Sequence, residues 1–131
     1  MGKRERGLDE FAVFTGSELV VDSMLAMGAG GVVPGLGNID PAAYVAIYDH
    51  SRAGNAEAAR KAQERLLRLF TITDVSPPSR MGRGSAALGA FKAAMKMRGF
   101  IDNAVMAPPQ LPLNAEELLL IKEKLGEAGL V

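Results

Sequence analysis

The sequence predicts an α/β fold in the order strand, helix, strand and helix, followed by three more helices. Two short apolar runs, residues 11–14 and 31–33, lack the polar alternation of a half-exposed strand, which favours strands buried on both faces of a parallel sheet. The stretch between them carries apolar residues at helical spacing. The 131 residues suffice for one ordinary domain with one core.

The first strand is followed by a small polar turn at residues 15–18. Within that turn, Ser17 is a suitable N-cap, and Glu18 stands where the helix dipole favours a carboxylate. The helix is expected to continue to about Met27, and Gly28 supplies its left-handed end. The residues expected on its inner side are Val21, Met24 and Leu25.

The second strand, residues 31–33, ends at a proline, which is tolerated at the end of a strand but not in its centre. Gly35 removes a side chain where the backbone bends or approaches a neighbour closely. Asp40 followed by Pro41 is an N-cap with proline at the first helical position, which predicts the start of the second helix. This helix is expected to stop near Gly54.

Three further helices are predicted to start near Asn55, Ser85 and Asn114. Asparagine and serine cap helix N-termini, and the glutamates that follow Asn114 complement the helix dipole. Residues 74–84 contain a Pro-Pro pair and are expected to form a loop. The residues expected to face the core are Ala59, Ala62, Leu66, Leu69, Leu88, Phe91, Met95, Leu118, Ile121, Leu125 and Ala128.

The composition is typical of a soluble globular protein, with 48% hydrophobic and 23% charged residues. Lys and Arg residues number 15, as do Asp and Glu residues, so the charge favours neither nucleic acid nor an anionic membrane as partner. The absence of cysteine excludes a disulfide framework, a thiol nucleophile and a Cys-based metal site, and it fits a cytoplasmic protein. Residues 1–7 are charged with no apolar segment behind them, so we expect no signal peptide, and no stretch reaches the roughly 18 apolar residues that span a bilayer.

Two parallel strands do not form a stable sheet by themselves, because their apolar faces and open edges need neighbours. The chain is therefore expected either to be part of a larger α/β protein or to form a homo-oligomer that completes the sheet. Residues 1–10 agree with the first alternative, since Lys and Arg crowd what resembles the last turn of a helix before Gly7.

A series of short motifs supports a family resemblance. The N-terminal motifs are Phe-Thr-Gly-Ser-Glu at residues 14–18, Ala-Met-Gly-Ala-Gly-Gly at 26–31 and Val-Val-Pro-Gly-Leu-Gly-Asn at 32–38. The C-terminal motifs are Gly54-Asn55, Ala58-Ala59-Arg60 with Gln63 and Leu66, Phe-Lys-Ala-Ala-Met at 91–95 and Pro-Gln-Leu-Pro-Leu at 109–113. In this order and spacing, the motifs resemble the dihydrodipicolinate synthase / N-acetylneuraminate lyase family.

The resemblance covers nearly the whole chain and implies the fold of that family, a TIM barrel with a helical C-terminal extension. By this match, residues 11–14 and 31–35 are the seventh and eighth strands. Residues 1–54 are then the last two βα units of the barrel, and residues 55–131 are a three-helix extension. A TIM barrel takes about 250 residues, so the resemblance implies the C-terminal portion of a longer enzyme.

Members of this family are Schiff-base aldolases and lyases that act on pyruvate or a related 2-oxo acid without a cofactor or a metal. A lysine at the end of their sixth strand forms the imine, and a tyrosine after the fourth strand relays protons. Both positions lie upstream of the residues matched here, so we expect no catalytic residue in this chain and no activity from it alone. The lysines that it does contain, none of which follows a predicted buried strand, are Lys3, Lys61, Lys92, Lys96, Lys122 and Lys124.

The resemblance also assigns the substrate rim to the ends of the two strands. The substrate-binding residues that it implies are Gly16, Ser17, Glu18, Val33, Pro34 and Gly35. Lyases of the family often carry serine at the position of Gly35, and synthases often carry a small polar or apolar pair there. The Pro34-Gly35 pair departs from both patterns and favours a substrate other than sialic acid.

Other interpretations of the same residues stay open. Residues 15–18 also fit a plain helix start. Residues 35–38 resemble a phosphate loop only weakly, because Asp40 stands where a dinucleotide fingerprint has its third glycine. Arg80 and Arg83 fit a solvated loop better than an anion site. The second hypothesis for function is a non-catalytic domain that assembles with itself or with a partner chain.

Overall fold

A computed structural model describes residues 11–131, and its elements follow the predicted order. They are β1 (Phe14–Thr15), α1 (Val21–Ala26), β2 (Gly31–Val32), α2 (Pro41–Arg52), α3 (Ala56–Phe70), α4 (Arg83–Met97) and α5 (Ala115–Glu127). Two 3-10 turns, Leu36–Asn38 and Thr71–Asp74, precede α2 and follow α3. The helix end predicted within residues 1–10 lies outside the described residues.

The two strands are parallel neighbours, and Phe14 and Thr15 pair with Gly31 and Val32. Each strand has only two residues, so the predicted lengths are wrong. The prediction of burial on both faces is also wrong for the described part of the chain, because the side chain of Phe14 is 56% exposed and only Thr15 in β1 is buried. Residues 11–131 contain no third strand. The ladder is therefore short, and apolar residues of the strands remain exposed to solvent.

Helix α1 ends as predicted at Gly28, which has a φ of 100°, and the N–H of Ala29 donates to the carbonyl of Met24. Its start was predicted three residues too early, because Val20 and not Ser17 occupies the N-cap position. Ser17 is not an N-cap, because its own N–H donates to Thr15 Oγ1 at 3.0 Å and this bond turns the chain before the helix begins.

The predicted caps of the other helices are largely confirmed. Asp40 Oδ1 accepts from Ala43 N–H at the start of α2, and Asn55 Oδ1 accepts from Ala58 N–H at the start of α3. Asn114 forms a reciprocal capping box with Glu117 at the start of α5. Helix α4 differs, since it begins two residues before the predicted serine and has no side-chain cap.

One core joins the elements, and α4 turns a face of small residues toward it. The Cβ of an alanine at Gly89 would lie 3.2 Å from Leu113 Cγ, so the small residues of α4 allow close packing. Leu88 and Leu118, which were predicted to be inward, are 46% and 37% exposed. The completely buried large side chains are those of Val21, Leu36, Ile39, Ile47, Leu66, Ile72, Ile121 and Leu125.

The predicted boundary between residues 1–54 and 55–131 falls at Gly54, whose φ is 74°, and at the cap residue Asn55. Helix α3 nevertheless packs directly against α1 and α2. The division into two domains therefore stays a prediction. We use the name helical extension for residues 55–131.

Candidate functional site

The ends of the two strands lie side by side, which brings both groups of predicted site residues together. Because β1 and β2 are parallel, their carboxyl ends meet at one edge. The N–H of Val33 donates to the carbonyl of Thr15 at 2.9 Å and fixes the two strand ends against each other. We call the two loops that follow, residues 16–18 and 33–35, the rim.

Gly16 and Ser17 form the open part of the rim. Both are exposed, and nothing lies within 4 Å of the point where a Cβ of residue 16 would stand. A small molecule can therefore reach the backbone at Gly16 and the hydroxyl of Ser17. These groups can donate hydrogen bonds to a carboxylate or a carbonyl.

Glu18 has a different position from its two neighbours, because its carboxylate points across the rim. Glu18 Oε1 accepts from the N–H of Leu36 at 2.6 Å. Burial raises the pKa of the Glu18 carboxyl, and the hydrogen bonds from the backbone of Leu36 and Gly35 partly oppose that increase. The carboxylate of Glu18 is thus bound to the loop after β2.

Gln63 supports Glu18 from the helical extension and was not predicted to belong to the site. Its Nε2 donates to the carbonyl of Glu18 at 2.9 Å, and its Oε1 accepts from the N–H of Asp22 at 3.3 Å. Gln63 is 3% exposed and lies on the same face of α3 as Ala59 and Leu66. A polar residue within that apolar stripe was the available signal, since a buried amide needs partners.

Val33, Pro34 and Gly35 form the other side of the rim. The side chain of Val33 is 72% exposed, whereas Pro34 and Gly35 are partly buried. A Cβ at residue 35 would lie 2.6 Å from Cε2 of Phe91 in α4, so the ring of Phe91 occupies the space that a side chain would need. Glycine at position 35 is therefore explained by close packing, and a serine there would displace Phe91.

A second concave surface lies on the other side of β2, between β2 and α2. It is an open groove of about 510 Å³, and its apolar lining includes Phe14, Val32, Pro34 and Tyr48. Tyr44 also lines it, and its buried hydroxyl has no hydrogen-bond partner among residues 11–131. Burial, followed by the negative charges of Glu18 and Asp40, raises the pKa of the Tyr44 phenol.

All lysines in the described part of the chain lie on helices of the extension. Lys61 Nζ is 2.8 Å from Glu57 Oε1, Lys92 Nζ donates to the carbonyl of Val105, and Lys124 Nζ donates to Thr71 Oγ1. The amines of Lys61, Lys92 and Lys124 are thus each bound by an oxygen atom of the helical extension. Lys3 lies outside the described residues.

Arg80 was predicted to be solvated, and this prediction is wrong. Its guanidinium forms an ion pair with Glu117 in α5, where Nε to Oε1 is 2.6 Å, and it also donates to the carbonyl of Pro112. Glu117 is 3% exposed and also accepts from the hydroxyl of Ser76. The bonds from Arg80 lower the pKa of the Glu117 carboxyl to about 2. This cluster is a buried support within the extension.

Residues 11–131 contain neither a metal-binding cluster nor a membrane-spanning helix. No three His, Asp or Glu side chains in this range gather closely enough to hold a metal ion. In the same range, no helix combines the length and the apolar character needed to cross a membrane.

Residues 3–128 match the model of the Dihydrodipicolinate synthetase family. The chain is 30% identical over 124 residues to the 4-hydroxy-tetrahydrodipicolinate synthase of Chlorobium limicola. The aligned region covers 94% of this chain and 38% of that protein. It is 32% identical over 120 residues to an uncharacterized DapA-like lyase of Rhizobium meliloti, with coverages of 92% and 37%. The chain thus spans less than two fifths of the length of these curated relatives.

Solved structures show the same relationship. The dihydrodipicolinate synthase of Bacteroides thetaiotaomicron superimposes with a TM-score of 0.80 at 25% identity, over 88% of this chain and 37% of that one. YagE, a prophage protein of E. coli K12 from the same family, superimposes with a TM-score of 0.77 at 21% identity, over 92% of this chain and 38% of that one. These neighbours are TIM barrels, and the predicted α/β class agrees with them.

Proposed function

The chain belongs to the dihydrodipicolinate synthetase family, and from this we propose that it is the C-terminal segment of a carbon–carbon lyase or aldolase. The substrate is pyruvate or a related 2-oxo acid, and the reaction proceeds through a lysine imine. This chain supplies the rim, residues 16–18 and 33–35. Polypeptide outside these 131 residues supplies the imine lysine, and the chain alone is inactive.

The observation that carries the proposal is the common edge at which the two parallel strands end. In TIM barrels, active sites are built from the loops at the carboxyl ends of the strands. Gly16 and Ser17 follow β1 at that edge, and Val33, Pro34 and Gly35 follow β2. YagE was solved in complex with pyruvate, which supports a 2-oxo acid as the ligand class.

An imine mechanism needs a lysine whose amine is uncharged and can attack the 2-oxo carbon. Enzymes achieve this by placing the amine in a desolvated pocket or near another cation, which lowers its pKa. Lys61 pairs with Glu57 and both side chains are exposed, so its amine does not lie in a desolvated pocket. The proposal therefore assigns the reactive amine to the part of the relatives that this chain does not cover.

The open surfaces around β1 and β2 support the same proposal. Phe11 and Val13 are 68% and 56% exposed, and an apolar groove runs beside β2. Exposed strand edges with apolar side chains pair with further strands when these are available. We propose that strands from the remainder of a barrel cover these surfaces, or that copies of this chain associate through them.

The test is reduction with borohydride in the presence of pyruvate, followed by mass spectrometry, which traps an imine as a stable amine. One sample contains this chain alone. The other contains this chain co-purified with the part of the Chlorobium limicola synthase that it does not cover. We expect no adduct on this chain, and an adduct on a lysine of the added part in the second sample. An adduct on a lysine of this chain, or no adduct in a purified stable complex, would contradict the proposal.

Two glycine substitutions make the test specific for the rim. Gly16→Leu fills the open part of the rim, and Gly126→Leu places the same side chain on the exposed face of α5. Both glycines have nothing within 4 Å of the Cβ position, so neither substitution meets a steric clash. We expect Gly16→Leu to reduce adduct formation in the complex and Gly126→Leu to leave it unchanged. Equal yields from both variants would exclude the rim as the substrate site.

A further inference from the structure

The two rim loops follow strands that are too short to hold them. Each strand contributes two residues, and the last ladder bond joins Val33 N–H to the carbonyl of Thr15. Beyond that bond the loops have no further strand partners within residues 11–131. Another contact must therefore fix their separation.

The carboxylate of Glu18 makes that contact. It accepts from the N–H of Leu36, a completely buried residue that begins a 3-10 turn, at 2.6 Å. The first N–H groups of a helical turn have no partner within the turn, so a carboxylate there satisfies a donor that is otherwise unpaired. A hydrogen bond to an ionised acceptor is about twice as strong as a neutral one.

The backbone of Glu18 is also held by a hydrogen bond, which restricts the position of its carboxylate. Gln63 Nε2 in α3 donates to the Glu18 carbonyl at 2.9 Å, and Gln63 Oε1 binds the N–H of Asp22. On the opposite side, Phe91 of α4 packs against Gly35. The connection thus runs from α3 through Glu18 to the loop after β2.

We propose that Glu18 is a positioning residue whose carboxylate ties the loop after β1 to the loop after β2 and holds Pro34 and Gly35 beside Gly16. In this role Glu18 acts through Leu36 and does not contact the substrate directly. This proposal takes the place of the expectation that the Glu18 carboxylate binds the 2-oxo acid. The link to substrate rests on the proposed function. The bond between Glu18 and Leu36 can be tested without it.

The charge of Glu18 gives this bond a measurable signature. Burial raises the pKa of the Glu18 carboxyl, against the hydrogen bonds from the backbone. The Tyr44 phenol in α2 interacts with the charges of both Glu18 and Asp40, and Asp22 lies four residues after Glu18 in α1. The pKa of Tyr44 is raised well above the neutral range, and that group stays neutral during a titration from pH 3 to 8.

The experiment uses the full 131-residue chain labelled with ¹⁵N and compares the wild type with Glu18→Gln, Glu18→Ala and the exposed control Glu123→Ala. Glutamine keeps an acceptor oxygen but does not titrate, whereas alanine removes the acceptor. The measurements are the hydrogen-exchange rate of the Leu36 amide and its chemical shift between pH 3 and 8. The free energy of unfolding in urea is measured in parallel, so that local and global opening are separated.

We expect Glu18→Ala to accelerate exchange of the Leu36 amide about tenfold or more, as the loss of a charge-assisted hydrogen bond implies. Glu18→Gln should restore most of the protection, and Glu123→Ala should match the wild type. In the wild type, the Leu36 shift should titrate with a midpoint above the usual glutamate range, and this titration should be absent from Glu18→Gln.

Two results would overturn the proposal: unchanged exchange at Leu36 in Glu18→Ala, or a Leu36 shift that does not follow a carboxyl titration in the wild type. If Glu18→Ala does not fold, the titration of the wild type and the exchange rate in Glu18→Gln still decide the question. A failed pyruvate test combined with the expected Leu36 results would count against the proposed function and leave the role of Glu18 intact.

Discussion

The helical extension and the sheet end of this molecule differ in how completely they are built. By sheet end we mean β1, β2 and the rim, where the sheet has only two strands within residues 11–131. In the extension, Leu66, Ile121 and Leu125 are at most 1% exposed, and the buried carboxylate of Glu117 pairs with the partly exposed Arg80. At the sheet end, apolar side chains reach solvent, with Val33 being 72% exposed. Both regions leave some large apolar side chains exposed, with Val105 in the extension being 70% exposed, but at the sheet end they lie beside the open edges of a two-stranded sheet, which further strands would cover.

Polar side chains of the helical extension form hydrogen bonds with residues near the sheet end. Arg65 Nη1 in α3 lies 2.6 Å from Asp40 Oδ2, and Arg98 in α4 donates to the carbonyl of Ile39. Gln63 holds the backbone of Glu18 in the loop after β1. Hydrogen bonds from the extension thus reach the loop after β1 and the segment that leads into α2. The position of the loop after β1 therefore depends on α3 as well as on the two-residue strands.

The largest effect that would test this comparison is expected from Glu117→Ala. The substitution removes the internal partner of Arg80 and of the Ser76 hydroxyl, and also half of the capping box of Asn114. Breaking a buried ion pair in this way costs about 3–5 kcal/mol. The measurement is urea unfolding followed by circular dichroism. The control is Glu116→Ala, which changes an exposed glutamate in the same turn, and its free energy of unfolding should stay within about 1 kcal/mol of the wild-type value. Equal losses from both variants would show that the contacts of Glu117 do not support the extension.

A smaller loss is expected from Leu125→Ala, which deletes a completely buried side chain in α5. A substitution of this kind costs about 2–5 kcal/mol, because the lost transfer energy is added to the energy of the cavity. Leu119 lies on the same helix and is 59% exposed, so Leu119→Ala should change the free energy of unfolding by less than about 0.5 kcal/mol. A loss at Leu119 as large as that at Leu125 would mean that the outer face of α5 is also covered.

The pH dependence of stability is expected to have opposite signs in the two regions. The folded pKa of Glu117 is lowered to about 2, so its contribution is present above its ordinary value near 4.5 and is lost as the pH falls through that window. The folded pKa of Glu18 is raised, so its contribution is present below the ordinary value and is lost as the pH rises through the folded pKa.

The two opposite pH dependences can be measured separately by urea unfolding of the wild type, Glu117→Gln and Glu18→Gln at several pH values. The stability advantage of the wild type over Glu117→Gln should shrink on acidification below pH 4.5. Its advantage over Glu18→Gln should shrink as the pH increases toward neutrality. Parallel profiles for the two variants would refute the assigned environments of both carboxyl groups.

The smallest effect on stability is expected at the sheet end itself. Val33→Ser replaces an apolar side chain that is mostly in solvent, so the free energy of unfolding should change by less than about 0.5 kcal/mol. Val21→Ser, at a completely buried valine, should cost several times more. Light scattering of Val33→Ser should show weaker self-association than the wild type if copies of the chain meet through this surface. A strongly destabilised Val33→Ser protein would mean that the sheet end is already covered.

Much of the fold follows from local signals in the sequence. Asp40, Asn55 and Asn114 cap the helices at the predicted places, because a cap depends on only three or four neighbouring residues. Gly28 ends α1 for a similarly local reason, since its φ of 100° is poorly accessible to other residues. The adjacency of the two rim loops was also predictable, because parallel strands place their carboxyl ends together.

The errors arose where a contact in the folded chain competes with the preference of a single residue. Ser17 is a good N-cap by type, but the hydroxyl of Thr15 turns the chain first. Leu88 has helical spacing for an inward position, but the small residues of α4 pack more closely and leave it outside. Arg80 lies in a polar loop, but Glu117 on another helix binds it. Glu117 is 37 residues from Arg80 in the chain, so this partner could not be inferred from spacing.

Local signals in the sequence predicted the order of the elements and most helix ends, because short-range hydrogen bonds and apolar periodicity depend on neighbours along the chain, and the family resemblance indicated the two groups of rim residues. Which partner each of those residues binds depends on the folded arrangement. Glu18 was assigned to the rim by its position, but its carboxylate binds Leu36, a residue 18 positions away. Such a choice follows from burial and from the need of each internal donor for an acceptor, and both exist only once the chain has folded.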